Sequence, residues 1–424
     1  MEIQKKPIVL ITVIMCLLVV INVSSCNTGS RDKSEDGPSP SAVETEFPQT
    51  SGSPAEASAE PTTDATPKAT PEAPPAPALP PVELVEYDGV VEHLFFHEVI
   101  AYPQLAFNGN SMQKGFDDNM VTVGEYNRIL ESLYKNNYIL VDLNDVWSEY
   151  INENGVVRMK KNTLMLPKGK LPLVLSFDDI SFYNYMRGCG FMEKLIIGDD
   201  GEIWASGFDP DGKPVISQDF TVVTILDKFV REHPDFSLGG VKGCIALTGY
   251  EGILGYRTQM DKTVEYTDEF RLNRMQEIAR VRPVVQRLKE TGWYFATHSY
   301  GHIDLERASL DRVKTDALRW MEEVGSLVGE TKIFIYPFGT RLDGGDVSNT
   351  GPAFLFYHDL GFRIFASVGY EPFTKIKPDI AAVILDRMNS DGITLRNSRE
   401  RFLRFYDAAD VFDPARPAEY GNKW

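Results

Sequence analysis

The sequence predicts an α/β fold in which a parallel sheet, open or closed into a barrel, is covered on its outer side by helices. Short apolar runs of strand length alternate with amphipathic stretches from about Tyr87 to Trp424. Each of the three strings rich in reactive side chains follows directly on one of those runs. The 424 residues are 43% apolar and 11% aromatic, enough for a sizeable core. Asp and Glu number 61 against 43 Lys and Arg, a net charge of −18, so the chain has no basic footprint for nucleic acid.

The first segment reads as a targeting signal. Lys5 and Lys6 precede an apolar run, Ile8 to Val23, which ends in Val23-Ser24-Ser25-Cys26. At about sixteen residues the run is short for a membrane span, which needs roughly twenty. Small residues before a cysteine resemble the lipobox of bacterial lipoproteins, which implies that residues 1–26 are a lipoprotein-type signal peptide ending at Cys26, with Cys26 the lipidated first residue of a membrane-anchored mature chain. An uncleaved anchor is the alternative, and either reading puts the rest of the chain outside the cytoplasmic membrane. Residues 27–82 are rich in Pro, Ser, Thr and Glu and have almost no large apolar side chain. Such a stretch cannot bury enough surface to offset its ordering entropy, so it is expected to be a disordered linker. At ~3.1 Å per residue a Pro-rich chain of this length reaches up to ~170 Å.

Residues 83–424 then form the globular part. The predicted strands are Leu94–Phe96, Tyr138–Val141, Leu173–Phe177, Gly243–Leu247, Trp293–Thr297, Lys332–Tyr336, Arg363–Ala366 and Val383–Leu385. Helices are expected over Thr122–Lys135, Thr221–Glu232, Asp268–Glu290, Ser309–Val328 and Gly351–Leu360. Thr122 and Glu125 make a capping box ahead of an apolar face of Tyr126, Ile129, Leu130 and Leu133. Gly292 stands where a helix-ending glycine belongs. Ile151–Lys170 and Gly188–Ser217 are insertions, the second with hairpin turn signals.

Leu173-Val-Leu-Ser-Phe-Asp178-Asp179 is an apolar strand ending in two adjacent carboxylates, costly to bury without a compensating cation. The pairs Asp117-Asp118 and Asp199-Asp200 read as solvated loop acids. His298-Ser-Tyr-Gly-His302 lets two imidazoles meet one ion if the loop is tight. Two imidazoles, one carboxylate and an open position suit zinc or a similar divalent ion. Tyr336-Pro337-Phe338-Gly339 closes a third strand.

Together and in this order, these strings resemble the polysaccharide deacetylases of carbohydrate esterase family four (the NodB homology domain), over most of Leu171–Asp386. The resemblance implies a distorted (β/α) barrel with insertions and a site on its C-terminal mouth. It implies Asp179, His298 and His302 as ligands of a divalent metal, zinc first, with cobalt, nickel or iron as alternatives. Asp178 would be the general base, Tyr336, Pro337 and Phe338 the substrate and oxyanion contacts, and an acetylated polysaccharide the partner. Removal of N-acetyl or O-acetyl groups by metal-activated water is the implied reaction, in the N-acetyl case a hydrolysis of carbon–nitrogen bonds other than peptide bonds.

Two positions depart from the family pattern. Ile335 stands where many members have an Arg, and no His follows His358 to supply the usual acid. Leu94-Phe-Phe-His97-Glu-Val, however, resembles the segment opening the circularly permuted exopolysaccharide deacetylases, in which an N-terminal His is the acid. His97 is therefore a catalytic candidate, with a core histidine as the alternative. Arg387, ending the last strand, either replaces the missing Arg beside Asp178 or makes a surface salt bridge. His93 and His233 read as surface or loop and His358 as packing. Trp204, Tyr183 and Tyr185 are candidates to stack on sugars or to fill the core, and Cys189 and Cys244 to pair. The rival functions are a non-catalytic glycan-binding protein on the same scaffold and a two-carboxylate glycosidase, which leaves the histidines idle.

Overall fold

The computed structural model describes residues 83–260 and 267–424. The signal segment with Cys26 and the linker lie outside the described residues.

Seven parallel strands close into a barrel. They are β1 (Glu92–Phe96), β2 (Leu171–Asp178), β3 (Cys244–Leu247), β4 (Tyr294–Thr297), β5 (Ile333–Ile335), β6 (Ile364–Val368) and β7 (Val383–Asn389). Neighbours pair in chain order, Phe96 with Phe177, Ser176 with Cys244, Leu247 with Thr297, Thr297 with Phe334, Ile335 with Ala366 and Val368 with Arg387. Met388 of β7 then pairs with Leu94 of β1 and shuts the ring. Tyr138–Leu140, the remaining expected strand, runs parallel to the start of β2 outside the ring.

The period of two along each strand divides the core. Leu173, Leu175 and Phe177 of β2, Phe334 and Phe365 point outward to the helices, whereas Val174, Ala246, Ala296, Ile335, Ala366 and Leu385 fill the lumen. Small side chains recur there because a seven-stranded barrel is narrow. The outer layer includes α1 (Val123–Lys135), α2 (Val222–Glu232), α3 (Asp268–Glu290), α4 (Leu310–Trp320) and α5 (Pro352–Asp359). Gly292 follows α3 at φ 97°, and a Cβ there would lie 2.1 Å from the Gly240 carbonyl oxygen. Only glycine fits. No helix among the described residues is long and apolar enough to cross a membrane.

The insertions are antiparallel sheet. Trp147–Ile151 and Val157–Lys161 form a hairpin that brings Trp147 and Met159 onto the apolar cluster of the lumen. Residues 194–217 form three strands rather than one hairpin. Cys189 and Cys244 are both free thiols.

Asp117 and Asp118 are not solvated. Both are buried, and Asp117 accepts from Arg396 and Arg416 at 2.9–3.0 Å. Arg416 is fully buried and also donates to Glu125 at 2.6 and 2.8 Å. Glu125 in turn caps α1 by accepting from the Thr122 amide. The C-terminal segment is thereby strapped to the first helix by Arg416, the cation that Glu125 and Asp117 share. Arg416→Leu leaves the Glu125 carboxylate without its cation, while Asp117 keeps Arg396, and we expect a loss of about 3–5 kcal/mol in denaturant unfolding. A change under about 1 kcal/mol would mean the strap is solvated.

Candidate metal and catalytic site

The C-terminal ends of the barrel strands carry the reactive side chains, because strand ends open toward loops whereas strand middles are packed. Asp178 is the last residue of β2 and points into the lumen. Strict alternation would turn Asp179 outward. Instead Asp179 takes φ 62°, its amide donates to the Ala246 carbonyl, and both carboxylates face the same mouth. Ser299, His302 and Phe338 also have positive φ, at 55°, 48° and 58°. Non-glycine residues held this way store strain of order 1–3 kcal/mol each, which only a fixed surrounding sustains.

Part of that fixing comes from Asp316 of α4. Its carboxylate accepts the Tyr300 and Gly301 amides at 2.7 and 2.8 Å and so clamps the loop between the two histidines. His298 Nδ1 lies 2.9 Å from the Ile335 carbonyl, an acceptor only, so Nδ1 carries the proton and Nε2 is left as a lone pair. One carboxylate oxygen of Asp179 and one nitrogen each of His298 and His302 lie within 4.8 Å of one another. Two imidazoles and a carboxylate at this spacing fit a divalent metal of the zinc type. Burial pushes the His302 imidazole down to about 4, against the pull of Asp179, so at neutral pH it has the uncharged form a ligand requires.

Asp178 lies beside this cluster, with Oδ2 3.8 Å from His298 Nε2. Burial would raise its pKa. The Arg387 guanidinium, donating to both oxygens at 2.8 and 2.9 Å, and the nearby histidines outweigh burial and hold it at about 2. Arg387 is fully buried, so its alternative as a surface salt bridge is excluded. Asp179 is lowered too, the charges of His302, His298 and His97 and a hydrogen bond from Tyr183 outweighing burial. His97, partly exposed beyond the end of β1, is near enough for its charge to act on Asp178, Asp179 and the buried Asp391.

The third string separates into two roles. Tyr336 and Pro337 are buried; the Tyr336 hydroxyl donates to Asp346 and its ring packs on Phe334 and Phe365. Both side chains are therefore part of the packed interior. Phe338 is 50% exposed and meets His302 edge-on at 4.3 Å.

Tyr183 is buried rather than open to sugars. Its hydroxyl donates to Asp179 at 2.5 Å and meets Thr248 Oγ1 at 2.6 Å. Its ring is stacked between Tyr185 and Tyr250, both of which remain partly exposed. Trp204 is tied to Asp200 at 3.0 Å. His93, expected at the surface, is buried on β1 against Ser176. Asp316, Asp391 and the Tyr183–Asp179 bond were not legible in sequence: these partners lie on other elements or are common polar residues without a motif.

No protein-family model and no curated protein matches the sequence. Solved structures do. The chain is similar to the deacetylase PplD of Streptococcus pyogenes, solved with acetate, at 14% identity and a TM-score of 0.39, over 77% of this chain and 100% of that one. It is similar to a polysaccharide deacetylase of Bacillus cereus at 12% identity and TM-score 0.36, over 72% of this chain and 65% of that one. A chitin deacetylase of the fungus Colletotrichum lindemuthianum matches at 13% identity and TM-score 0.24, over 46% of this chain and 78% of that one. The structural neighbours of this barrel thus include polysaccharide deacetylases of low sequence identity.

Proposed function

We propose that the chain is a metal-dependent polysaccharide deacetylase, hydrolysing N-acetyl or O-acetyl groups on a glucosamine-containing cell-wall or extracellular polysaccharide. One observation carries this reading: a carboxylate and two imidazoles converge within 4.8 Å at the barrel mouth, beside a second carboxylate kept ionised by Arg387. Asp179, His298 and His302 would hold the metal. When bound, a divalent cation supplies Lewis acidity toward the acetyl carbonyl and lowers the pKa of water.

The remaining work belongs to the chain. Asp178 is ionised and oriented, so it accepts the proton of the attacking water. The Phe338 amide is the proposed donor to the oxyanion. His97 is the proposed acid, protonating the leaving amine or alcohol from the side of β1. Arg387 takes the orienting role of the arginine that Ile335 replaces. The Val-Ser-Ser-Cys26 string and the linker support a lipid-anchored, extracytoplasmic placement with reach into a wall.

Asp178→Asn should lower acetate release from acetylated chito-oligosaccharides by at least ~10³-fold while zinc stays bound at one per chain. His298→Ala should lose zinc and activity together. Activity retained in Asp178→Asn, or full zinc retained in His298→Ala, would overturn the assignment, and a wild-type chain that binds glycan without releasing acetate would favour the binding-protein alternative. His97→Ala should slow turnover ~10²–10⁴-fold with KM nearly constant. An effect under threefold would return His97 to packing.

A further inference from the structure

Below Asp178 the lumen is not apolar. Three adjacent strands, β7, β1 and β2, contribute a line of polar side chains, of which the reaction as described uses only Arg387. Arg387 Nη1, besides donating to Asp178, donates to Ser176 Oγ at 3.0 Å. Ser176 Oγ lies 2.9 Å from His93 Nε2. His93 and Ser176 are buried, and Phe95, between His93 and His97, stacks under the guanidinium at 4.1 Å. His93 Nδ1 has no hydrogen-bond partner among the described residues. His93 borders a cavity of about 270 Å³ lined by Val174, Trp147 and Leu385 at the opposite end of the barrel from the mouth.

The chemistry of the three groups fixes their direction. A guanidinium only donates, so Ser176 must accept from Arg387. Its own hydroxyl proton is then free to go to His93 Nε2, which accepts if the imidazole is neutral. Burial first, and then the Arg387 charge, push the His93 pKa well below its usual range. The line therefore runs Arg387 to Ser176 to His93, each donation strengthening the next. Stability alone does not call for it: well-packed apolar residues of the same volume are often as stable as buried polar groups.

We propose that Ser176 and His93 are positioning residues for the proposed general base. Ser176, held in one rotamer by His93, stops the Arg387 guanidinium from rotating and so keeps its fork in the plane of the Asp178 carboxylate. The proposal rests on the deacetylase reading for its kinetic consequence but not for its structural one. A small misplacement of a base costs turnover rather than affinity.

The test uses Ser176→Ala, His93→Leu and His93→Gln in the full chain. Ser176→Ala and His93→Leu should lower kcat about tenfold, with KM and zinc stoichiometry within about twofold of wild type. His93→Gln, whose amide can still bond the serine, should restore most of the loss. ¹⁵N NMR should show slow rotation of the Arg387 guanidinium in the wild type and fast rotation in Ser176→Ala. A folded Ser176→Ala with unchanged guanidinium rotation overturns the proposal, whether or not the chain turns over. Unchanged kcat in an active, folded Ser176→Ala overturns it equally. If His93→Leu does not fold, the smaller Ser176→Ala change decides. Absence of turnover in the wild type contradicts the deacetylase reading alone, because the rotation measurement still decides this one.

Discussion

Two neighbouring carboxylates buried at the end of one strand repel each other and are poorly solvated. They stay ionised only because positive and polar groups are brought to them from four other parts of the chain. Arg387 from β7 forks onto Asp178, while His298 and His302 from beyond β4 and Tyr183 from beyond β2 gather on Asp178 and Asp179. His97, beyond β1, adds its field. A closed barrel is what lets residues more than 200 positions apart meet in this way. An open sheet would hold β7 and β2 at some distance, whereas closure puts only β1 between them.

Much of the remaining structure serves that convergence. Apart from His93 at the level of Val174, the lumen is filled with alanine and β-branched or leucine side chains up to the level of Ser176, and polar groups take over above it. Loops beyond β2, β4 and β5 hold non-glycine residues at positive φ, and clamps such as Asp316 on the Tyr300 and Gly301 amides sustain them. The Arg416 strap works at longer range, fixing the C-terminal segment against the helix that follows β1. Each is a case of strain or buried charge at one place balanced by contacts from another element.

The sequence made the strands, most helices and the three reactive strings legible, because periodicity and capping are local properties. Thr122 and Glu125 announce α1, and Asp178-Asp179 stands out because acids rarely follow so apolar a run. Long-range partners were less visible. His93 looked like a surface histidine because nothing near it in sequence shows that β1 is enclosed between β2 and β7. Asp117 looked solvated because its arginines lie about 280 and 300 positions further on. The direction of the Tyr336 ring was not visible either, because a motif names positions, not directions, and alternation turns that ring to the helix side. The Asp179 orientation needed one positive φ that no local signal encodes.

The central claim is that Asp179, His298 and His302 hold one cation beside Asp178. Anomalous diffraction at the zinc edge, from crystals of the full chain grown with stoichiometric zinc, tests it most directly. The account predicts a single strong peak within bonding distance of an Asp179 oxygen, His298 Nε2 and a His302 nitrogen, with Asp178 still forked by Arg387. A peak elsewhere, or none with these side chains ordered as described, would contradict it.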